Sequence, residues 1–307
     1  MINPRICAVI VTYKCDERIT ELLTSLLMQV QCVHIIDNGS EAAVLDRLLE
    51  LAAENPDGIC LTLNTSNLGI AAAQNQGIRQ ALATAFDWIL LLDDDSLPEA
   101  NMVQTMLRAW QQQNDAGIGI LAPCLIEQNV SVASRHLVPW CNIGFKRKPV
   151  NQGEYLLDAI TVIASGSLIR ADVFRSAGLM TEGYFIDYVD HEFCLRARMH
   201  GFRIMVVGNT VLRHHQGNKR LNHILCLTII TQNYSPERYQ YIFRNRLFFL
   251  RRYGGAFPFL IAHETMAYAW DMLRIIGCET DKSEKLWAAF RGLSDGMIWP
   301  IPQITHT

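Results

Sequence analysis

Apolar positions in the first third of the chain switch repeatedly between two rhythms. Residues 6–12, 32–36, 59–63 and 88–92 are short, nearly continuous apolar runs rich in β-branched side chains, the pattern of strands buried on both faces. Between them, residues 17–29, 41–54 and 71–86 repeat their apolar positions at the spacing of amphipathic helices. The alternation predicts βαβ units: an α/β class, mostly parallel sheet with helices on both faces. Ligands of such sheets sit beyond the carboxyl ends of the strands, so the residues at those ends are the first to weigh.

Past a helix at 102–113, with Val103, Met106, Leu107 and Trp110 on one face, the rhythm loosens. Residues 120–155 read as strand fragments and a loop carrying Lys146, Arg147 and Lys148. A strand at 160–169, a short helix at 172–176, a helix at 190–200 and strands at 203–207 and 211–215 follow. The remainder is helical, over 239–253, 257–276 and 283–293. The expected organisation is a catalytic α/β domain over 1–225 and a C-terminal helical region over 226–307. The latter would meet a membrane surface or a second copy, as a homo-oligomer, or, on the resemblance given below, an acceptor. Phe257, Phe259, Leu260, Met266, Trp270, Leu273 and Ile276 are its apolar face, with Arg251 and Arg252 nearby for anionic lipid.

Composition narrows this picture. Half the residues are apolar and 19% are charged, which excludes a disordered chain. A net charge of −3 gives no support to nucleic-acid binding. Nine cysteines contain no C-x-x-C pair and several lie in apolar runs, which fits a reducing, cytoplasmic setting better than a disulfide framework. The amino terminus has too short an apolar run for a signal peptide, and no stretch has the length of a spanning helix. The expectation is a soluble, cytoplasmic protein or a peripheral one, which the resemblance given below would place on the cytoplasmic face of the inner membrane.

Candidate chemistry concentrates at strand ends. Asp93, Asp94 and Asp95 close an apolar strand, and carboxylates so placed suit a hard cation such as Mg²⁺ or Mn²⁺. Ser96 with Glu99 also reads as a capping box, with the acids complementing a helix dipole. Asp187, Asp190 and Glu192 open a helix, where they are either a general base for an acceptor hydroxyl or dipole partners. His214 and His215 end a strand before Gly217 and offer an imidazole to a metal. Asp37 ends the second strand, as a nucleoside contact or in an Asx turn, and Ser40 is placed to cap the next helix. Asn67-Leu68-Gly69 presents backbone N–H groups at a helix start, a form of anion cradle. Arg244 and Arg246 lie among aromatics on a helix, as phosphate partners or as solvated surface.

The order of these pieces is more informative than any one of them. AVIVTY (8–13), IDNGS (36–40), NLGIAAAQNQGI (67–78), LDDDSLP (92–98), ASGSLIR (164–170), FIDYVDHEFCLR (185–196), HQG (215–217) and RNR (244–246) follow in one succession. Over about residues 5–250 that succession resembles family 2 inverting glycosyltransferases of the GT-A fold, a Rossmann-like design. Within the family it is similar to bacterial dTDP-L-rhamnose-dependent rhamnosyltransferases. The resemblance implies that Asp93 and Asp95 are the outer acids of an Asp-x-Asp motif, Asp95 holding the metal and Asp93 reaching ribose or metal, with Asp94 between them. It implies Thr12, Tyr13, Asp37, Asn67 and Gly69 around the nucleotide, His215 on metal or diphosphate, and Gly166 and Arg244 toward acceptor or diphosphate. Asp190 matches the catalytic base; Val189 stands where the family often has Glu, which keeps Asp187 and Glu192 as alternatives.

The resemblance therefore implies an inverting glycosyltransferase. It would move L-rhamnose from dTDP-L-rhamnose to a hydroxyl of a cell-surface polysaccharide or a lipid-linked saccharide, assisted by Mg²⁺ or Mn²⁺. The alternatives are another donor, a UDP-hexose or UDP-galactofuranose, and a non-catalytic nucleotide-binding member. A nucleotidyltransferase would more naturally carry a basic, glycine-rich loop after the first strand, which Thr12-Tyr13-Lys14-Cys15-Asp16 is not.

Overall fold

The structure is a computed structural model that describes residues 4–127, 132–133, 135–140, 144–214, 220–224 and 227–306. Four strands, β1 (Ile6–Thr12), β2 (Cys32–Asp37), β3 (Ile59–Leu63) and β4 (Trp88–Asp93), run parallel in the order β3-β2-β1-β4. Helices α1 (Arg18–Leu27), α2 (Ala42–Glu54) and α3 (Ile70–Ala83) connect them. The parallel register sets Thr12 beside Asp37, and Val11 beside Asp93, so that the strand-end residues share one rim of the sheet.

Alternation along β1 divides the interior. Cys7 and Val9 face α3, while Ile6, Ala8 and Ile10 face α1 and α4 (Met102–Gln113), so each side of the sheet has its own apolar layer. Helix α3 comes close because Gly77 has no side chain: a Cβ there would lie 2.5 Å from a Val9 methyl.

The second half of the sheet is mixed. β5 (Ser96–Pro98), β6 (Ile118–Glu127), β7 (Val132–Ala133), β8 (Arg135–Trp140), β9 (Gly144–Pro149), β10 (Tyr155–Leu157) and β11 (Leu168–Arg170) come next in the chain. β11 lies antiparallel between β4 and β6, and β12 (Arg203–His214) lies parallel to β6 with β10 beyond it. α5 (Ala171–Ala177) and α6 (Val189–Met199) separate β11 from β12. A small hairpin, β13 (Arg220–Ile224) with β14 (Leu227–Thr231), precedes α7 (Pro236–Tyr253), α8 (Phe259–Cys278) and α9 (Lys282–Ile298). The α/β class and the helical C-terminal region are as the periodicity predicts.

Four local expectations are corrected. The strand expected over 160–169 is a strand only from Leu168; before it Gly166 turns with φ +84° and the chain crosses the sheet rim as a loop. The strands expected at 203–207 and 211–215 are one strand, β12, with a bulge between Val207 and Val211. Ser96 and Glu99 form no capping box: Ser96 lies in β5, and Glu99 accepts a hydrogen bond from the Val211 N–H. Ser40 does not cap α2; its hydroxyl donates to Asp37 and accepts from the Lys14 N–H.

The helical region docks on the α/β body. Ser235 caps α7 by accepting from the Arg238 N–H, with Pro236 at the first helical position. Helices α7 and α9 touch backbone to backbone, since a Cβ on Gly292 would lie 2.2 Å from the Gln240 carbonyl oxygen. Gly292→Val is expected to lower unfolding free energy by about 1–3 kcal/mol or more, as overpacking does, measured by denaturant titration.

Candidate active site

Above the strand ends lies a cleft of about 1210 Å³. One wall is Tyr13, Asn38, Asn67, Gly69 and the three acids Asp93, Asp94 and Asp95. The floor includes Ala164 and residues 185–191, and the far wall comes from α7 and α8, with Arg238, Arg246, Met266 and Trp270. The cleft thus joins residues that are far apart in the chain.

The acids crowd one another. Burial, then repulsion from Asp95, Asp94 and Asp190, pushes Asp93 up to about 8, against a smaller opposing pull from Arg238. Burial also raises Asp94, to about 6, although the Tyr13 N–H donates to its carboxylate at 3.3 Å. A divalent cation would relieve this repulsion. Among the described residues no three carboxylates bring oxygens to a common point. Such an ion would therefore be held by one or two of Asp93, Asp94 and Asp95 and completed by oxygens of a bound diphosphate, the usual habit of Mg²⁺. The donor set fits a hard cation.

Asp190 stands in the first turn of α6 and faces the same space. Its Oδ2 accepts from the Ala164 N–H at 3.3 Å and its Oδ1 from the His191 N–H at 2.8 Å, which fixes the carboxylate on the cleft floor. The loop before it is held in an unusual shape, with positive φ at Phe185, Asp187 and Tyr188. Asn245 of α7, fully buried, donates to the carbonyls of Tyr184, Ile186 and Asp187. From the other side the Ile70 N–H donates to the Phe185 carbonyl at 2.7 Å. Gly69 lets α3 come this close, for a Cβ there would lie 2.5 Å from the Phe185 ring.

Eight of the residues that the resemblance assigns to the site line the cleft: Tyr13, Asn67, Gly69, Asp93, Asp94, Asp95, Asp187 and Asp190. Others are engaged elsewhere. Thr12 is buried and donates to Asp37. Asp37 is itself buried, its two oxygens taken by Thr12, the N–H groups of Gly39 and Ser40, and the Ser40 hydroxyl. Its place is the Asx turn, with no face toward the cleft. The N–H groups of Leu68, Gly69 and Ile70 are taken by Asn38, Asn67 and Phe185, so the expected anion cradle is already filled. Gly166 packs on Leu212 and Pro123.

Glu192, an alternative base, lies fully buried on the inward side of α6. Burial pushes its carboxyl up, but Arg196, with hydrogen bonds from Tyr253 and Thr181, more than offsets this and holds it below its ordinary value. It is a packing carboxylate. Arg244 donates to the carbonyls of Gly183 and Tyr184, away from the cleft. Two residues along a helix turn about 200°, so Arg246 is the one that lines the cleft, with Tyr188, Glu264 and Asp271 as partners. His215 lies outside the described residues; His214 ends β12 opposite Ser96.

Arg238 is the residue that sequence reasoning missed. It grips Asp187 through two hydrogen bonds of 3.0 Å, so Asp187 is committed to an ion pair on the cleft wall. The acid was visible in the sequence; its partner, some fifty residues later, had no local signal.

The family model for glycosyl transferase family 2 matches residues 7–176. The chain belongs to this family. It is 32% identical over 255 residues to the dTDP-rhamnosyl transferase RfbF of Shigella flexneri, covering 81% of both chains. It is 25% identical to the galactofuranosyltransferase GlfT1 of Mycobacterium tuberculosis (strain H37Rv), over 87% of this chain and 88% of that one. Among solved structures it resembles S. aureus TarS 1-349 in complex with UDP-GlcNAc, with a TM-score of 0.59 at 15% identity, over 92% of this chain and 79% of that one. The protein is a glycosyltransferase with the α/β architecture expected of it, and the matched stretch carries the strand-end acids but stops short of Asp187 and Asp190.

The raised Asp93 has a consequence for this glycosyltransferase that needs no substrate. Its proton is held more tightly folded (about 8) than at its ordinary value (3.8), so the group erodes stability as pH rises from about 4 to 8. Asp93→Asn is expected to melt above wild type at pH 8 and level with it near pH 4, with saturating Mg²⁺ or Mn²⁺ narrowing the gap, measured by thermal unfolding.

Proposed function

We propose that this enzyme is an inverting rhamnosyltransferase that uses dTDP-L-rhamnose and an acceptor hydroxyl on a cell-surface polysaccharide or a lipid-linked saccharide precursor. The observation that carries the chemistry is the pairing of Asp190 with the strand-end acids across one cleft. The identity to a dTDP-rhamnosyl transferase supports the sugar. A divalent ion, Mg²⁺ or Mn²⁺, would be held by Asp95 and Asp93, where it supplies positive charge against the leaving diphosphate. Tyr13 and Asn67, on the wall beside the acids, line the nucleotide side of the cleft.

Asp190, held by two N–H groups, accepts the acceptor's proton as the hydroxyl oxygen attacks the anomeric carbon from the face opposite the diphosphate. The proton ends on the carboxylate, and the electron pair of the breaking bond leaves with the diphosphate. Met266 and Trp270, exposed apolar residues of the far wall, would meet the acceptor. Among the described residues no helix is long and apolar enough to cross a membrane, so contact with a lipid-linked acceptor would be made from the surface.

A second reading keeps the mechanism and changes the donor to UDP-galactofuranose, favoured by the similarity to GlfT1. Calorimetric titration with dTDP and UDP, each with and without Mn²⁺, separates the two. Metal-dependent preference for dTDP is expected; preference for UDP would move the donor to the second reading. Asp190→Asn is expected to lower kcat by about 10²–10⁴-fold with donor affinity unchanged, measured by product formation and calorimetry. Asp95→Ala is expected to lose the metal-dependent part of donor binding. Near-wild-type kcat in Asp190→Asn would place the base elsewhere.

A further inference from the structure

At the opposite end of the strands from the cleft, three adjacent strands place four metal-ligating side chains on one face. The parallel register sets Cys7 of β1 beside Cys32 of β2, and His34 of β2 beside Cys60 of β3. Cys32 and His34 are two apart on one strand, so all four share a face, the one covered by α3. Ligand atoms of Cys7, Cys32 and His34 lie within 4.8 Å of one another, and the Cys32 and Cys60 sulfurs are 3.9 Å apart. We propose that Cys7, Cys32 and His34 form a binding site for a thiophilic d¹⁰ cation, Zn²⁺, separate from the sugar-transfer cleft, with the exposed Cys60 beside Cys32 swinging in from the solvent side as fourth ligand.

Three observations carry this. The first is spacing: four ligands around Zn²⁺ at about 2.3 Å per Zn–S bond are separated by a tetrahedral edge of about 3.8 Å. The Cys32–Cys60 separation already has this value, with no disulfide between them. The second is the imidazole. His34 Nδ1 lies 3.3 Å from the Gly77 carbonyl oxygen; a carbonyl can only accept, so the proton sits on Nδ1 and Nε2 keeps its lone pair. A backbone carbonyl behind the imidazole is the outer support that metal-binding histidines ordinarily have.

The third is access. Cys60 is exposed and Cys32 partly so, which leaves a way in from solvent, whereas Cys7 and His34 form the buried floor. Cys7 is five residues from Thr12 along β1, about 16 Å at about 3.3 Å per residue, so the site is remote from the acids at the rim. Soft sulfur and imidazole ligands here, and hard carboxylates there, would select different ions.

Titration of the reduced, full-length protein with Co²⁺ tests the site, since tetrahedral thiolate ligation gives sulfur-to-cobalt charge-transfer and intense visible d–d bands. One equivalent of Co²⁺ is expected to produce both bands, and one equivalent of Zn²⁺ to remove them. Cys32→Ser and Cys60→Ser are expected to weaken Co²⁺ binding by about 100-fold or more, since even an outer partner of a ligand is worth about 10- to 100-fold. Both positions reach solvent, and circular dichroism checks that each variant is folded. Asp95→Ala should leave the bands intact, which separates this site from any ion in the cleft. Absence of the bands overturns the proposal, as does their persistence in both cysteine variants. A Cys32–Cys60 disulfide that forms readily in air, with no cobalt bands after reduction, would instead mark the pair as redox-active.

Discussion

The grip of Asn245 on the loop at 184–187 is the contact on which the arrangement of the cleft depends. One buried amide donates to three carbonyls of a segment whose backbone has positive φ at three non-glycine positions. Each such residue costs of order 1–3 kcal/mol in isolation, so the shape persists only because its surroundings over-determine it. Asn245 holds it from α7, and the Ile70 N–H holds it from the start of α3. Without this hold α6 would not begin where it does, and Asp190 would not face the strand-end acids. The C-terminal helices are therefore part of the site as well as a platform beside it.

Charge in the cleft is arranged unevenly. Asp93 and Asp94 are raised by burial and then by the neighbouring acids on one rim, while Arg238 and Arg246 stand on the opposite wall. Arg246 is enclosed by Tyr188, Glu264 and Asp271, and Arg238 by Asp187. The Arg238–Asp187 pair and the Arg246–Tyr188 hydrogen bond tie the helical region to the loop before α6, while the Arg246 pairs with Glu264 and Asp271 join α7 to α8. They leave the acidic rim as the part of the cleft whose charge a bound cation changes most.

Much of this was legible in the sequence. The β1 to β4 rhythm fixed the order of strands and helices, and the strand-end position of Asp93 to Asp95 follows from that rhythm together with the turn that ends β4. The resemblance singled out Asp190 from the acids that open α6. What failed were residues whose role depends on rotation or on distant partners. Arg244 and Arg246 are alike in sequence, and only the helix phase relative to the body decides which one enters the cleft. Glu192 sits two residues from Asp190 in the same acidic segment, yet it turns inward to Arg196 and Tyr253. Asp37 and the N–H groups at 68–70 had two uses open to them, and local turns took both. Gly166 marked a real turn, but one that shapes the loop under Asp190 from behind.

The sheet order has a consequence for how this chain is made. β12 comes late in the sequence, yet it lies between β6 and β10 and closes the second half of the sheet. A nascent chain that has reached residue 176, the end of the stretch shared with the family model, has the donor-side strands but leaves one edge of β6 without its partner. Such an edge invites wrong pairing until residues 203–214 emerge. During synthesis the ribosome thus releases a half-built sheet with an open seam, and the protein becomes safe from aggregation only when its last long strand slides into place.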